Sequence, residues 1–199
     1  MEERKNSKLI WAVIGAIILI TVHSGGWAVE EDLVKAAWAG NKEVIIDLLS
    51  KSNTNVNAKN KDGTTALMAV SQNGNTDLVK LLLEEYRADP NIKNNYGRTA
   101  LMLADYESTK TMELLLSHGA DVNAKNKSTG STTLMLVAGT HDNYPEVIKL
   151  LIRCGADVNA KDSEGKTAID YAQERLNSKI SGSDKREIIK ILQNAAHEN

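Results

Sequence analysis

Apolar positions along this chain come in pairs of short runs, and polar loops of similar composition separate each pair from the next. Leu78, Val79, Leu81, Leu82 and Leu83 give a broad apolar face to a helix over residues 76–86. Thr76 suits its N-cap and Asp77 its first turn. Residues 66–73 form a shorter apolar helix just before it, and Gly74-Asn75 breaks the two apart. Residues 145–152 repeat the longer pattern, with Pro145 at the first helical position, where its missing N–H costs nothing. Gly119 and Gly155 close longer helices at sites that want positive φ.

The loops between the pairs keep a beat. Asp62-Gly63-Thr64-Thr65-Ala66-Leu67 returns as Tyr96-Gly97-Arg98-Thr99-Ala100-Leu101, Thr129-Gly130-Ser131-Thr132-Thr133-Leu134 and Glu164-Gly165-Lys166-Thr167-Ala168-Ile169. Its glycines are 34, 33 and 35 residues apart. A second signal runs in step: Val56-Asn57-Ala58-Lys59-Asn60, Asp121-Val122-Asn123-Ala124-Lys125-Asn126 and Asp157-Val158-Asn159-Ala160-Lys161. A period in the low thirties marks a solenoid of stacked supersecondary units, which builds an extended surface and has no natural central pocket.

Turn, helix, turn, helix and finger at this period resemble the ankyrin repeat family. The resemblance implies an all-α repeat solenoid of about five stacked helix-turn-helix units with finger loops. It places a repeat domain over residues 29–196, in units of approximately 30–60, 61–94, 95–126, 127–161 and 162–196, with a polar tail at 197–199. The loop glycines Gly63, Gly97, Gly130 and Gly165 should then fall along one edge. The chain departs from the family pattern in places. Thr-Ala-Leu-Met replaces Thr-Pro-Leu-His, Arg87 stands where a glycine is usual, and unit three lacks its inter-helix glycine. Residues 139–144 are an insertion, as are those around 176–183.

In this family the finger tips and the exposed face of each first helix form a concave groove that binds partner proteins. Alignment on the glycines carries those positions over to Lys61, Asp62 and Thr64, then Asn95, Tyr96 and Arg98. It continues with Ser128, Thr129 and Ser131, and with Ser163, Glu164 and Lys166. The first-helix positions are Trp38 and Ala39, Gln72 and Asn73, Tyr106 and Glu107, and, in unit five, Gln173 and Glu174. Trp38, Gln72 and Tyr106 are spaced 34 apart and should form one stripe. Tyr, Trp and Arg dominate binding energy at interfaces, so a folded protein partner is expected here. The mixed charge of these positions favours a folded protein over a polyanion.

Composition narrows the alternatives. The chain has 199 residues, 42% of them hydrophobic, and no Phe, so its core must be built from Leu, Ile, Val, Ala and Met. A net charge of −2 with interspersed signs gives no nucleic-acid footprint. Arg4, Lys5 and Lys8 precede an apolar-to-neutral run from Leu9 to Val22. As a helix that run would reach about 21 Å, short of the roughly 30 Å hydrocarbon core. Gly26 and Ala28 then fit the −3 and −1 positions of a signal-peptidase site. Residues 1–28 therefore read as a secretory signal peptide cut after Ala28, with Ser24 and Gly26 as other cut points. The alternative is a membrane-tethered adaptor that keeps residues 9–22 as an anchor. Cleavage removes Glu2, Glu3, Arg4, Lys5 and Lys8, and the net charge becomes −3. Cys154 is the single cysteine, so no intrachain disulfide can form, which points to a bacterial periplasm over a eukaryotic secretory route. A glycosylation sequon, Asn126-Lys127-Ser128, falls on a finger.

Catalytic chemistry finds little support. His23, His118, His141 and His197 are not spaced as metal ligands, and His118 before Gly119 suits a helix C-terminus. His141-Asp142 lacks a nucleophile partner, and Cys154 reads as a surface thiol. The Gly63-Thr64-Thr65 loop lacks the spacing of a phosphate cradle. Neither a metal nor a cofactor is expected. The sequence predicts an exported, non-catalytic interaction module, with an immunity or stress-defence factor as one role.

Overall fold

A computed structural model describes residues 27–51, 54–140, 142, 144–177 and 185–197. The leader predicted over residues 1–28 lies, apart from its last two residues, outside them. So do the possible anchor at 9–22, residues 178–184 of the second insertion, and Glu198 and Asn199 of the polar tail. The described chain is all helical. Its ten helices are α1 (Trp27–Trp38), α2 (Lys42–Ser50), α3 (Ala66–Gln72), α4 (Thr76–Glu84), α5 (Ala100–Leu103), α6 (Thr109–Ser117), α7 (Thr133–Ala138), α8 (Pro145–Arg153), α9 (Ala168–Asn177) and α10 (Arg186–His197).

They form two layers. The first helices α1, α3, α5, α7 and α9 pack each on the next, and α4, α6, α8 and α10 stack behind them. Each first helix also packs on the second helix of its own unit. The core lies between the layers: Leu67, Leu82, Leu101, Leu115, Leu134 and Leu151 show at most 1% of their surface. The three first helices in the middle of the stack start alike. The side-chain oxygens of Thr65, Thr99 and Thr132 accept from the backbone N–H of Met68, Met102 and Met135, satisfying donors that have no partner inside the helix.

One local prediction needs correction. The N-cap of α4 is Asn75, whose Oδ1 accepts from the Leu78 N–H at 3.2 Å; Thr76 is the first helical residue. Its hydroxyl instead lies 2.9 Å from that of Thr111, tying α4 to α6. Helix α5 is a single turn of four residues. With no glycine to turn the chain through positive φ, Ala104 turns extended (φ −56°, ψ 146°) and Asp105 donates its N–H to the Ser71 carbonyl of the unit before. The expected glycine substitute does appear in unit two. Arg87 takes φ 56°, the only positive φ of a non-glycine among the described residues.

Candidate functional site

Each finger is a tight loop organised by one Asx side chain. Asn60 Oδ1 accepts from the N–H groups of Asp62 and Thr64, and Asn94 Oδ1 from those of Tyr96 and Arg98. Asp162 Oδ1 does the same for Glu164 and Lys166. The backbone closes these loops from Asn60 N–H to the Thr64 carbonyl, Asn94 to Arg98 and Asp162 to Lys166. The fourth finger closes from Asn126 to Ser131 and so holds one more residue.

The fingers are stitched edge to edge. Asn95 donates its N–H to the Asp62 carbonyl at 3.0 Å, Lys127 to Tyr96 at 3.2 Å and Ser163 to Thr129 at 2.9 Å. The loop glycines therefore do fall along one edge. A Cβ on Gly63 would lie 2.8 Å from the Asn95 nitrogen, and one on Gly97 would run into the Lys127 backbone. No side chain fits at these two, and all four loop glycines also hold a positive φ, from 71° to 82°.

Of the sequence-predicted binding positions, Tyr96 is the most prominent. The residue is 58% exposed, the highest value among the large hydrophobic residues described. Trp38 follows at 42%, at the end of α1, where its carbonyl accepts from Asn73 Nδ2 at 2.8 Å. Lys61, Asp62, Gln72, Asn73, Asn95, Arg98, Glu107, Ser128, Thr129, Ser163 and Glu164 are exposed as well, and Lys166 is half-buried. Lys166 is held between Glu164 (3.1 Å) and Glu174 (2.9 Å), and these two hydrogen-bonded carboxylates raise its pKa.

Three predicted positions do not belong on a docking surface. Thr64 is 9% exposed and Ser131 only 1%. Ser131 Oγ lies 2.9 Å from the Tyr171 hydroxyl, which in turn donates to Asp162 Oδ2 at 2.7 Å, so it locks the fingers of units four and five together. Tyr106 is half-buried beyond the end of α5. Its ring meets Tyr144 edge-on at 6.1 Å, and its hydroxyl donates to the Met102 carbonyl at 2.9 Å. Burial pushes its pKa up to about 12, only partly offset by the Arg98 charge. The stripe of Trp38, Gln72 and Tyr106 therefore exposes its first two members and turns the third inward.

The sequon residue Asn126 is also buried, at 6%. Its Nδ2 donates to Thr129 Oγ1, and its Oδ1 accepts from the Thr129 N–H, both at 2.8 Å. A glycan on Asn126 is therefore incompatible with the folded finger. His118 caps α6 as its position suggests, with Nδ1 2.8 Å from the Leu114 carbonyl, and Cys154 is exposed at the end of α8. Among the described residues no group of three or more His, Cys, Asp or Glu side chains could hold a metal ion, and no helix is long and apolar enough to cross a membrane.

One feature escapes the glycine alignment. Lys59 Nζ donates to the Lys93 carbonyl at 3.0 Å, Lys93 Nζ to Lys125 at 3.1 Å and Lys125 Nζ to Lys161 at 2.7 Å. The second sequence motif contains Lys59, Lys125 and Lys161, yet nothing in it says that Lys59 and Lys125 reach into the following unit.

A family model for ankyrin repeats (3 copies) matches residues 33–126 and again 107–198. A search of curated proteins finds no match.

Proposed function

Because the chain belongs to the ankyrin repeat family, we propose that it is an exported, non-catalytic module that grips a folded partner protein with its finger edge and first-helix ends. Ankyrin repeats generally mediate protein–protein interaction and are typically non-enzymatic. The observation that carries the proposal is Tyr96. A tyrosine 58% exposed stands on a finger whose backbone is bonded to the fingers on both sides. A pre-ordered aromatic anchor loses little entropy on association, and tyrosine is among the residues that carry interface energy. Trp38 supplies a second anchor toward the start of the stack.

Export rests on the composition of residues 1–28, and the single cysteine favours a bacterial periplasm as its destination. The role of an immunity or stress-defence factor in a periplasm follows from that location by analogy alone. Pull-down from the native compartment, comparing the wild type with a Trp38→Ala, Tyr96→Ala, Arg98→Ala variant of unchanged circular dichroism, tests the binding face. Equal capture by both would remove the assignment. N-terminal sequencing of the same material decides between a cleaved leader, with a start near Val29, and a tether kept at residues 9–22.

A further inference from the structure

Lys59, Lys93, Lys125 and Lys161 form a row, one exposed ammonium per unit, along the finger side of the stack. The first three are each held by a carbonyl of the following unit, which fixes their positions before any ligand arrives. One hydrogen bond occupies one of the three N–H donors of an ammonium and leaves two to point elsewhere. Lys61, Arg98 and Lys127, all exposed, add charge at the neighbouring tips. At the finger tips carboxylates offset only part of this: Glu164 is paired with Lys166, while Asp62 and Asp162 remain as negative charges. A chain whose net charge is −2 thus concentrates positive charge on one strip.

The strip is narrow and periodic, and both properties select a ligand. Four residues before Lys93, Lys125 and Lys161 stand Asp89, Asp121 and Asp157, all exposed. Four residues of chain span at most about 14 Å, so an acidic border runs beside the row. A nucleic-acid duplex has phosphates on both sides of grooves about 6–12 Å wide, which would bring its second strand over those aspartates. A single extended polypeptide avoids them. Stacked helices lie about 8–10 Å apart, which sets the step between lysines. A polyproline II segment has three residues per turn and a 3.1 Å rise, so every third side chain returns to one face after about 9.3 Å.

Building on the partner-binding role argued above, we infer that this lysine row docks an extended acidic segment of the partner protein, in polyproline II conformation, with Asp or Glu at every third position.

The probes are synthetic peptides carrying four glutamates each, in Glu-Pro-Pro or Glu-Pro-Pro-Pro repeats, with Ser-Pro-Pro as the uncharged control. Binding to the full chain is measured by fluorescence anisotropy at several salt concentrations. The three-residue period is expected to bind several-fold tighter than the four-residue period and to weaken as salt rises. Lys161→Gln, which leaves all three ammonium–carbonyl bonds in place, should weaken it roughly two- to fivefold. The Lys59→Gln, Lys93→Gln, Lys125→Gln variant should weaken it about tenfold or more. Equal affinity for the two periods, no preference over Ser-Pro-Pro, or tighter binding of duplex DNA or phosphatidylserine vesicles through the same lysines would overturn the inference. The pull-down separates the two levels: capture lost on Tyr96→Ala but unchanged by the lysine variants removes the acidic segment and leaves the binding face standing.

Discussion

Asn123 reaches across a unit boundary to Asp157, accepting its N–H at 2.8 Å while donating Nδ2 to the Gly155 carbonyl at 2.9 Å. Asn91 does the same one unit earlier, toward Asp121 at 2.7 Å and Gly119 at 2.8 Å. Two hydrogen bonds to backbone groups of the turn that follows a helix are worth about 1–2 kcal/mol net. Asn123→Ala should lower stability by that amount, read from the urea midpoint. A change below a few tenths would mean that water replaces the amide at no cost.

Arg87 carries the converse prediction. It holds φ 56° at the end of α4, where Gly119 and Gly155 serve α6 and α8 with φ 83° and 86°. A left-handed non-glycine residue costs roughly 1–2 kcal/mol, partly returned by the lower entropy of its unfolded chain. Arg87→Gly should therefore stabilise the protein by about 0.5–1 kcal/mol, seen as a higher melting temperature.

Burial of the Tyr106 phenol gives a pH dependence with a definite sign. Its pKa rises from the ordinary value of 10.0 to about 12 in the folded chain, chiefly through desolvation. The folded state thus holds the proton more tightly. Its contribution is complete below pH 10 and is lost as pH climbs toward 12. Urea titrations across that window should show the wild type losing more stability than Tyr106→Phe. At neutral pH the same variant should cost about 1 kcal/mol for the missing bond to Met102. Parallel pH curves for the two proteins would contradict the desolvation argument.

Leu115 shows no exposed surface on α6, at the join with α4 and α8. Leu115→Ala should cost about 2–5 kcal/mol, depending on how far the neighbouring helices close over the cavity. Calorimetry would show it as the largest drop among the single substitutions considered.

The architecture was legible because its signals are local and repeated. Gly63 and Gly97 are forced by close approach of the next finger, and the Leu82 and Leu115 helices carry their apolar faces openly in the sequence. The site was only partly so. Aligning on a glycine finds the finger but not the side on which Thr64 or Ser131 ends, and both end inside. Tyr106 was misplaced because α5 stops after one turn, which changes the direction of everything behind it. Three lysines of the row stood in plain sight within a motif, and the four are spaced 34, 32 and 36 apart. Only coordinates could show its ammoniums bridging successive units.

The brevity of α5 weakens the middle of the first-helix layer. Its four residues stand between α3, with seven, and α7, with six. In an array held by nearest neighbours, the thinnest rib is where the beam gives. Amides of Leu101–Leu103 should exchange with deuterium sooner than those of Leu67–Val70. A ligand long enough to lie across both halves would then work as a splint.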